Sequence, residues 1–86
     1  MKLTNGSLLL QFESGTVKLT EAETDQFLIK LSQFYFDLIR SRVYKGWAYE
    51  RKLYTLTKDK EDIIIVVDGT HGRLPLTEVG EFLKSL

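Results

Sequence analysis

The stretch Gly15-Thr16-Val17-Lys18-Leu19-Thr20-Glu21-Ala22-Glu23-Thr24-Asp25-Gln26-Phe27-Leu28 decides the fold class, because its hydrophobic period changes in the middle. Residues 16–20 alternate polar and apolar, the period of two that a half-buried strand requires. Thr20 is followed three residues later by Glu23, the capping-box pattern. Its hydroxyl accepts from a backbone amide while the glutamate reaches back to the N–H of the cap. A helix is therefore expected from about Glu21. Phe27, Leu28, Leu31, Phe34, Tyr35, Leu38 and Ile39 recur at three- and four-residue spacing, with Glu23, Gln26, Lys30, Gln33 and Asp37 largely on the other side. The helix is expected to end before Gly46, with Arg40, Arg42 and Lys45 in or just beyond its last turns, complementing the negative end of the dipole.

Upstream, the apolar run Ser7–Glu13 and the segment 16–20 flank Ser14-Gly15 as a hairpin would. Downstream, Trp47–Thr57 has a strand pattern with neither face cleanly apolar. Trp47, Tyr49, Arg51, Leu53 and Thr55 are expected to point one way, and Ala48, Glu50, Lys52, Tyr54 and Leu56 the other. A charged turn, Lys58–Asp62, leads into the β-branched run Ile63–Val67, completing a second hairpin. Asp68–Gly72 has the composition of a turn and Arg73–Leu76 is short and extended. Thr77 is then expected to cap a terminal helix over about Glu78–Leu86, held by docking of Val79, Phe82, Leu83 and Leu86.

Eighty-six residues hold one domain, since two cores would each be too small to offset chain entropy. The expected fold is α+β in two layers, β-β-α-β-β-(β)-α, with one antiparallel sheet of about 4–5 strands covered on one face by the long helix and the short C-terminal one. Its expected core is Leu8, Leu10, Phe12, Val17, Leu19, Phe27, Leu28, Leu31, Leu38, Leu53, Ile63, Ile65, Val67, Leu76, Phe82 and Leu83. Without cysteine there are no disulfides or thiolate sites. No apolar run approaches the ~20 residues that span a bilayer, and Met1–Gly6 lacks a signal-peptide stretch, so a soluble, cytoplasmic protein without membrane contact is expected.

Gly15–Ala22 and Gly72–Val79 share the pattern Gly-x-apolar-x-Leu-Thr-Glu-apolar, each followed by a Phe-Leu pair, Phe27-Leu28 and Phe82-Leu83. The chain thus reads either as a degenerate duplication of 7–45 and 46–86 or as two uses of a good strand-to-helix junction. On these residues, over 15–31 and 45–86, it resembles the Whirly and positive-cofactor-four superfamily of single-stranded DNA-binding transcriptional regulators. The resemblance implies a curved sheet that holds single-stranded nucleic acid through basic and aromatic side chains, here on the Lys45-Gly46-Trp47 turn and the strand after it.

Twelve basic and twelve acidic residues cancel, which argues against a surface built throughout to neutralise phosphates. The distribution is uneven. Residues 40–60 hold seven basic and two acidic side chains, interleaved with aromatics. Arg42, Lys45, Arg51, Lys52, Lys58 and Lys60 are the candidate phosphate contacts, and Trp47, Tyr49 and Tyr54 the candidate stacking residues, of a sequence-tolerant single-strand binder. The competing reading places Trp47 and Tyr49 in the core and leaves the cations to cap a helix and solubilise a hairpin.

His71, the only imidazole, lies in a Gly-flanked turn of a chain with little volume for a catalytic cleft, so no enzyme is expected. Glu21, Glu23 and Asp25 gather at a helix N-terminus, where the dipole favours them, and neither metal nor cofactor is expected. Among Phe34-Tyr35-Phe36, periodicity turns Phe34 and Tyr35 inward and leaves Phe36 on the far side. An exposed phenyl there favours self-association as a homodimer. Two functions remain: a non-catalytic nucleic-acid binder or transcription-related regulator, and a protein-interaction module, such as a small inhibitor or accessory subunit, working through a sheet face or edge together with Phe36.

Overall fold

Among the described residues, seven strands and two helices follow the order β1 (Lys2–Thr4), β2 (Ser7–Phe12), β3 (Gly15–Lys18), α1 (Glu21–Asp37), a 3-10 turn (Leu38–Arg40), β4 (Tyr44–Tyr49), β5 (Lys52–Asp59), β6 (Asp62–Val67), β7 (Thr70–Pro75) and α2 (Leu76–Lys84). The structure, a computed structural model, describes residues 1–40 and 42–86; the side chain of Ile39, expected on the apolar helix face, lies outside the described set. The class is α+β as expected, but the strands form two antiparallel sheets, β1-β2-β3 and β4-β5-β6-β7, instead of one. The β2–β3 hairpin lies against β7 without joining its ladder: the Phe12 ring covers Gly72, and Ser14 Oγ donates to the carbonyl of His71.

Turn chemistry accounts for most of the other differences. Asn5-Gly6, both at positive φ, form the tight turn that gives the chain an extra first strand. Glu50 and Arg51, at φ 51° and 67°, split the expected Trp47–Thr57 strand into the β4–β5 hairpin. Asp68-Gly69 turn alone, so Thr70–Gly72, read as turn by composition, belong to β7.

The capping box at α1 is present in full: Thr20 Oγ1 accepts from Glu23 N–H at 3.2 Å, and Glu23 Oε1 accepts from Thr20 N–H at 2.9 Å. Thr24 fastens the same turn to the first sheet by accepting the β2 amide of Leu8 at 2.9 Å. The helix stops at Asp37 with no basic residue in its last turn, and Lys45 is a strand residue. Thr77 does not cap α2. Pro75 holds the cap position, and the Leu76 N–H is satisfied by the carbonyl of Glu61 at 2.9 Å, so the helix opens without a side-chain cap. α2 closes onto α1 at Gly80, where a Cβ would come within 2.5 Å of the Tyr35 hydroxyl.

One core gathers Leu8 and Leu10 from the first sheet, Leu19 from the link between β3 and α1, Phe27, Leu31 and Phe34 from α1, Val79 from α2, and Tyr54, Leu56, Ile63, Ile65, Val67 and Leu74 from the second sheet. Leu53 is the clear departure from the expected core. The Glu50-Arg51 turn reverses its parity, and it stands 67% exposed. Leu86, expected to help dock α2, lies beyond the helix and is exposed. The radius of gyration, 11.9 Å, is that of one compact domain of this length. Among the described residues, no helix is long and apolar enough to cross a membrane.

Candidate functional site

The nine residues singled out for nucleic acid do not form one surface. The β4–β5 register sets Trp47 opposite Tyr54, and partners in an antiparallel pair share a face. Their rings stack at 5.0 Å and 2° beneath Phe27, whose centroid lies 6.1 Å from Trp47 and 6.2 Å from Tyr54. Tyr54 is fully buried, which withdraws it from any base-stacking surface. The indole N–H of Trp47 and the hydroxyl of Tyr54 are both buried without a hydrogen-bond partner. Burial foremost, then the charge of Glu23 and Asp68, pushes the Tyr54 phenol up to about 12, so it remains protonated.

Tyr49 faces Lys52 at the end of the same inner face, and Lys52 Nζ meets Glu23 Oε2 at 2.9 Å. That cation is committed to α1. Arg51 is exposed on the β4–β5 turn, whereas Lys60 is exposed on the β5–β6 turn at the other end of β5. At about 3.3 Å per residue the two are roughly 25–30 Å apart. Arg42, Lys45, Lys58 and Lys60 are the cations brought together, since Lys58 N–H bonds to the carbonyl of Val43 at 2.9 Å. The basic tract is therefore two groups separated by a strand.

The opposite face of β4–β7 went unread in the sequence. Register places Tyr44, Leu53, Thr55, Thr57, Ile64 and Val66 there. Tyr44 is 62% exposed, Leu53 more so, and the other four are half-buried. The charged groups of this face stand toward one corner, where Arg73 spans the carboxylates of Asp59 and Asp62, reaching the latter at 3.0 Å. β4 is the terminal strand of its sheet, so the outer edge of Tyr44–Tyr49 carries unpaired backbone groups. The missed signal was positional: once residues 50 and 51 are a turn, Leu53 changes sides.

A groove of about 530 Å³ lies beside this face, lined by Phe12, Glu13, Ser14, His71 and Arg73 among others. Its hydroxyl and imidazole are not coupled, because Ser14 donates to the backbone carbonyl of His71. Among the described residues, no three His, Cys, Asp or Glu side chains gather as a metal site.

Glu23 is the buried carboxylate that joins the two halves of the chain. The Thr20 N–H foremost, and then Lys52, hold it below the usual glutamate range against the opposing effect of burial. Stability from a carboxylate depressed in the folded state is present above its unfolded pKa, about 4.3, and is lost as pH falls through the lower folded value. Glu23→Gln keeps the cap acceptor but loses the charge facing Lys52. The variant is expected to be less stable than wild type at pH 7, with urea midpoints converging as pH drops below about 4. A midpoint difference constant from pH 7 to pH 3 would contradict this.

No known family model, curated protein or solved structure matches the chain.

Proposed function

We propose that the protein is a non-catalytic binding module whose partner is a protein segment in extended conformation, added as a strand to the free edge of β4. Its alternate apolar side chains lie toward Leu53 and Tyr44. The observation that carries this reading is the uncovered outer face of β4–β7, apolar in its middle and continuous with an unpaired strand edge. Backbone pairing at such an edge supplies affinity and the neighbouring side chains supply selectivity. The central edge residues, Gly46, Trp47 and Ala48, carry no charge, proline or bulge that would discourage pairing.

The nucleic-acid reading keeps one favourable observation, the Arg42, Lys45, Lys58 and Lys60 group at one end of the β4–β5 pair, with Lys45 and Lys58 on the face opposite to Tyr44. It has lost Tyr54 to the core and Lys52 to Glu23.

Peptides selected from a random display library on the folded chain are expected to alternate apolar and polar residues and to slow amide exchange along β4. Their binding should weaken at least tenfold in Leu53→Glu, a substitution at an exposed site that leaves folding intact. In the same protein, Trp47 emission is expected to be blue-shifted from the start and unchanged by a mixed-sequence single-stranded oligonucleotide at low salt. A saturable, salt-sensitive quench abolished by Lys45→Ala with Lys58→Ala would transfer the function to nucleic acid. Selected peptides indifferent to Leu53→Glu would remove the sheet face from consideration.

A further inference from the structure

α1 buries Phe27, Leu31 and Phe34 against the sheets, and its far side carries a second stripe. Ala22, Asp25, Ile29, Gln33, Phe36 and Arg40 follow at steps of three and four residues, and all six are exposed. At 100° per residue the helical members fall within roughly 80° of arc, a single line along the helix. Two members are large and apolar: Ile29 is 55% and Phe36 62% exposed. The apolar surface continues from Phe36 into a groove lined by Tyr35, Leu38 and Leu76, between the end of α1 and the start of α2.

We infer that a second copy of this chain docks on this stripe, with the two α1 helices antiparallel about a two-fold axis passing by Ser32 and Gln33. The occupant follows from the order of the side chains. In the antiparallel register that sets Phe36 of one copy on Ile29 of the other, Asp25 of each falls opposite Arg40 of its mate. The same register thus pairs the apolar residues and neutralises both ends. Gln33 meets its own symmetry mate near the axis, where a primary amide both donates and accepts. Parallel packing would set Asp25 against Asp25 and Arg40 against Arg40, with the two helix dipoles aligned. An unrelated partner would not account for a stripe complementary to its own reverse.

One helix pair buries less than the ~1,200 Å² at the lower limit of stable interfaces, so dissociation constants on the order of 10 µM are expected. The surface is distinct from the β4 edge, and its test is independent of that reading.

Sedimentation equilibrium of the full chain across this concentration range should show a monomer–dimer equilibrium. Phe36→Glu should weaken it at least tenfold, with Leu53→Glu leaving it unchanged. Asp25→Arg and Arg40→Asp should each weaken it alone, because like charges then meet twice. Mixing these two variants should restore dimerisation as a heterodimer, in which both charge pairs are again opposite in sign. The doubly exchanged chain, Asp25→Arg with Arg40→Asp, should dimerise like wild type. A merely structural effect of either substitution would not be repaired by mixing. A chain that stays monomeric at several hundred micromolar, a dimer insensitive to Phe36→Glu, or single variants that do not complement one another would each overturn the inference.

Discussion

Phe27→Ala is expected to cost about 3–5 kcal/mol, a large share of the stability of a domain of this size. The ring is wholly buried and meets both members of the Trp47–Tyr54 stack, so its loss opens a cavity where α1 bears on the second sheet. It also exposes two polar atoms that have no protein partner, the Trp47 indole N–H and the Tyr54 hydroxyl. Water entering that cavity would bond to both in the folded variant and offset part of the loss, which places it toward the lower part of the range. Urea unfolding followed by circular dichroism measures it, with Leu53→Ala as the comparison. Leu53, on the far side of the same hairpin and mostly exposed, should change stability by less than about 0.5 kcal/mol. Similar midpoints for the two variants would mean that the β4–β5 parity is reversed and that Leu53 faces inward.

That parity marks the limit of what was readable in advance. The helix was legible because all its signals are local: Thr20 and Glu23 cap it, and the spacing of Phe27, Leu31 and Phe34 sets its buried face. Glu50-Arg51 was not legible. Both residues adopt positive φ without the Asn, Asp or Gly that usually marks such a turn, so nothing in the chain interrupts the strand pattern there. Read as one straight strand, Trp47 and Tyr54 lie on opposite faces; folded at residues 50 and 51, they stack on one. The candidate stacking platform became part of the core through that single turn. Asn5-Gly6 is the opposite case, a strong turn signal whose first strand, Lys2–Thr4, is too short to show a hydrophobic period of its own.

The two Gly-x-apolar-x-Leu-Thr-Glu stretches show how similar sequence can be used differently. Leu19 N–H bonds to the carbonyl of Leu8, and Leu76 N–H to that of Glu61, so each leucine, the residue just after a strand, is tied back to the neighbouring strand or turn in the same way. Thr20 then caps its helix, but Thr77 already lies inside α2, because proline at position 75 takes the cap. Lys52 on Glu23 is a contact between residues far apart in sequence, and neither position carries a local sign of it.

Gly72→Ala is expected to be nearly as damaging as the loss of Phe27, for the opposite reason. Gly72 does not occupy the left-handed region, so alanine meets no backbone strain there; the obstacle is packing. Its Cβ would stand 2.0 Å from Cδ1, 2.1 Å from Cγ and 2.6 Å from Cβ of Phe12, atoms too close to the Phe12 backbone to yield by a swing of the ring tip. The β2–β3 hairpin must move off β7 or Phe12 must leave its place. Overpacking of this kind costs roughly 1–3 kcal/mol, and expelling the ring adds up to about 1.5–3 kcal/mol of lost burial. Glycine within a strand is here the mark of a close approach by another element, and that approach is one of the points at which the two sheets meet without a shared ladder. The double variant separates this account from a general weakness of β7. With Phe12→Ala already in place, the ring is gone, only the Cβ contact remains, and Gly72→Ala should cost at least ~1 kcal/mol less than it does in wild type. Strict additivity of the two changes, read from urea midpoints, would mean that the sheets meet elsewhere than at Phe12.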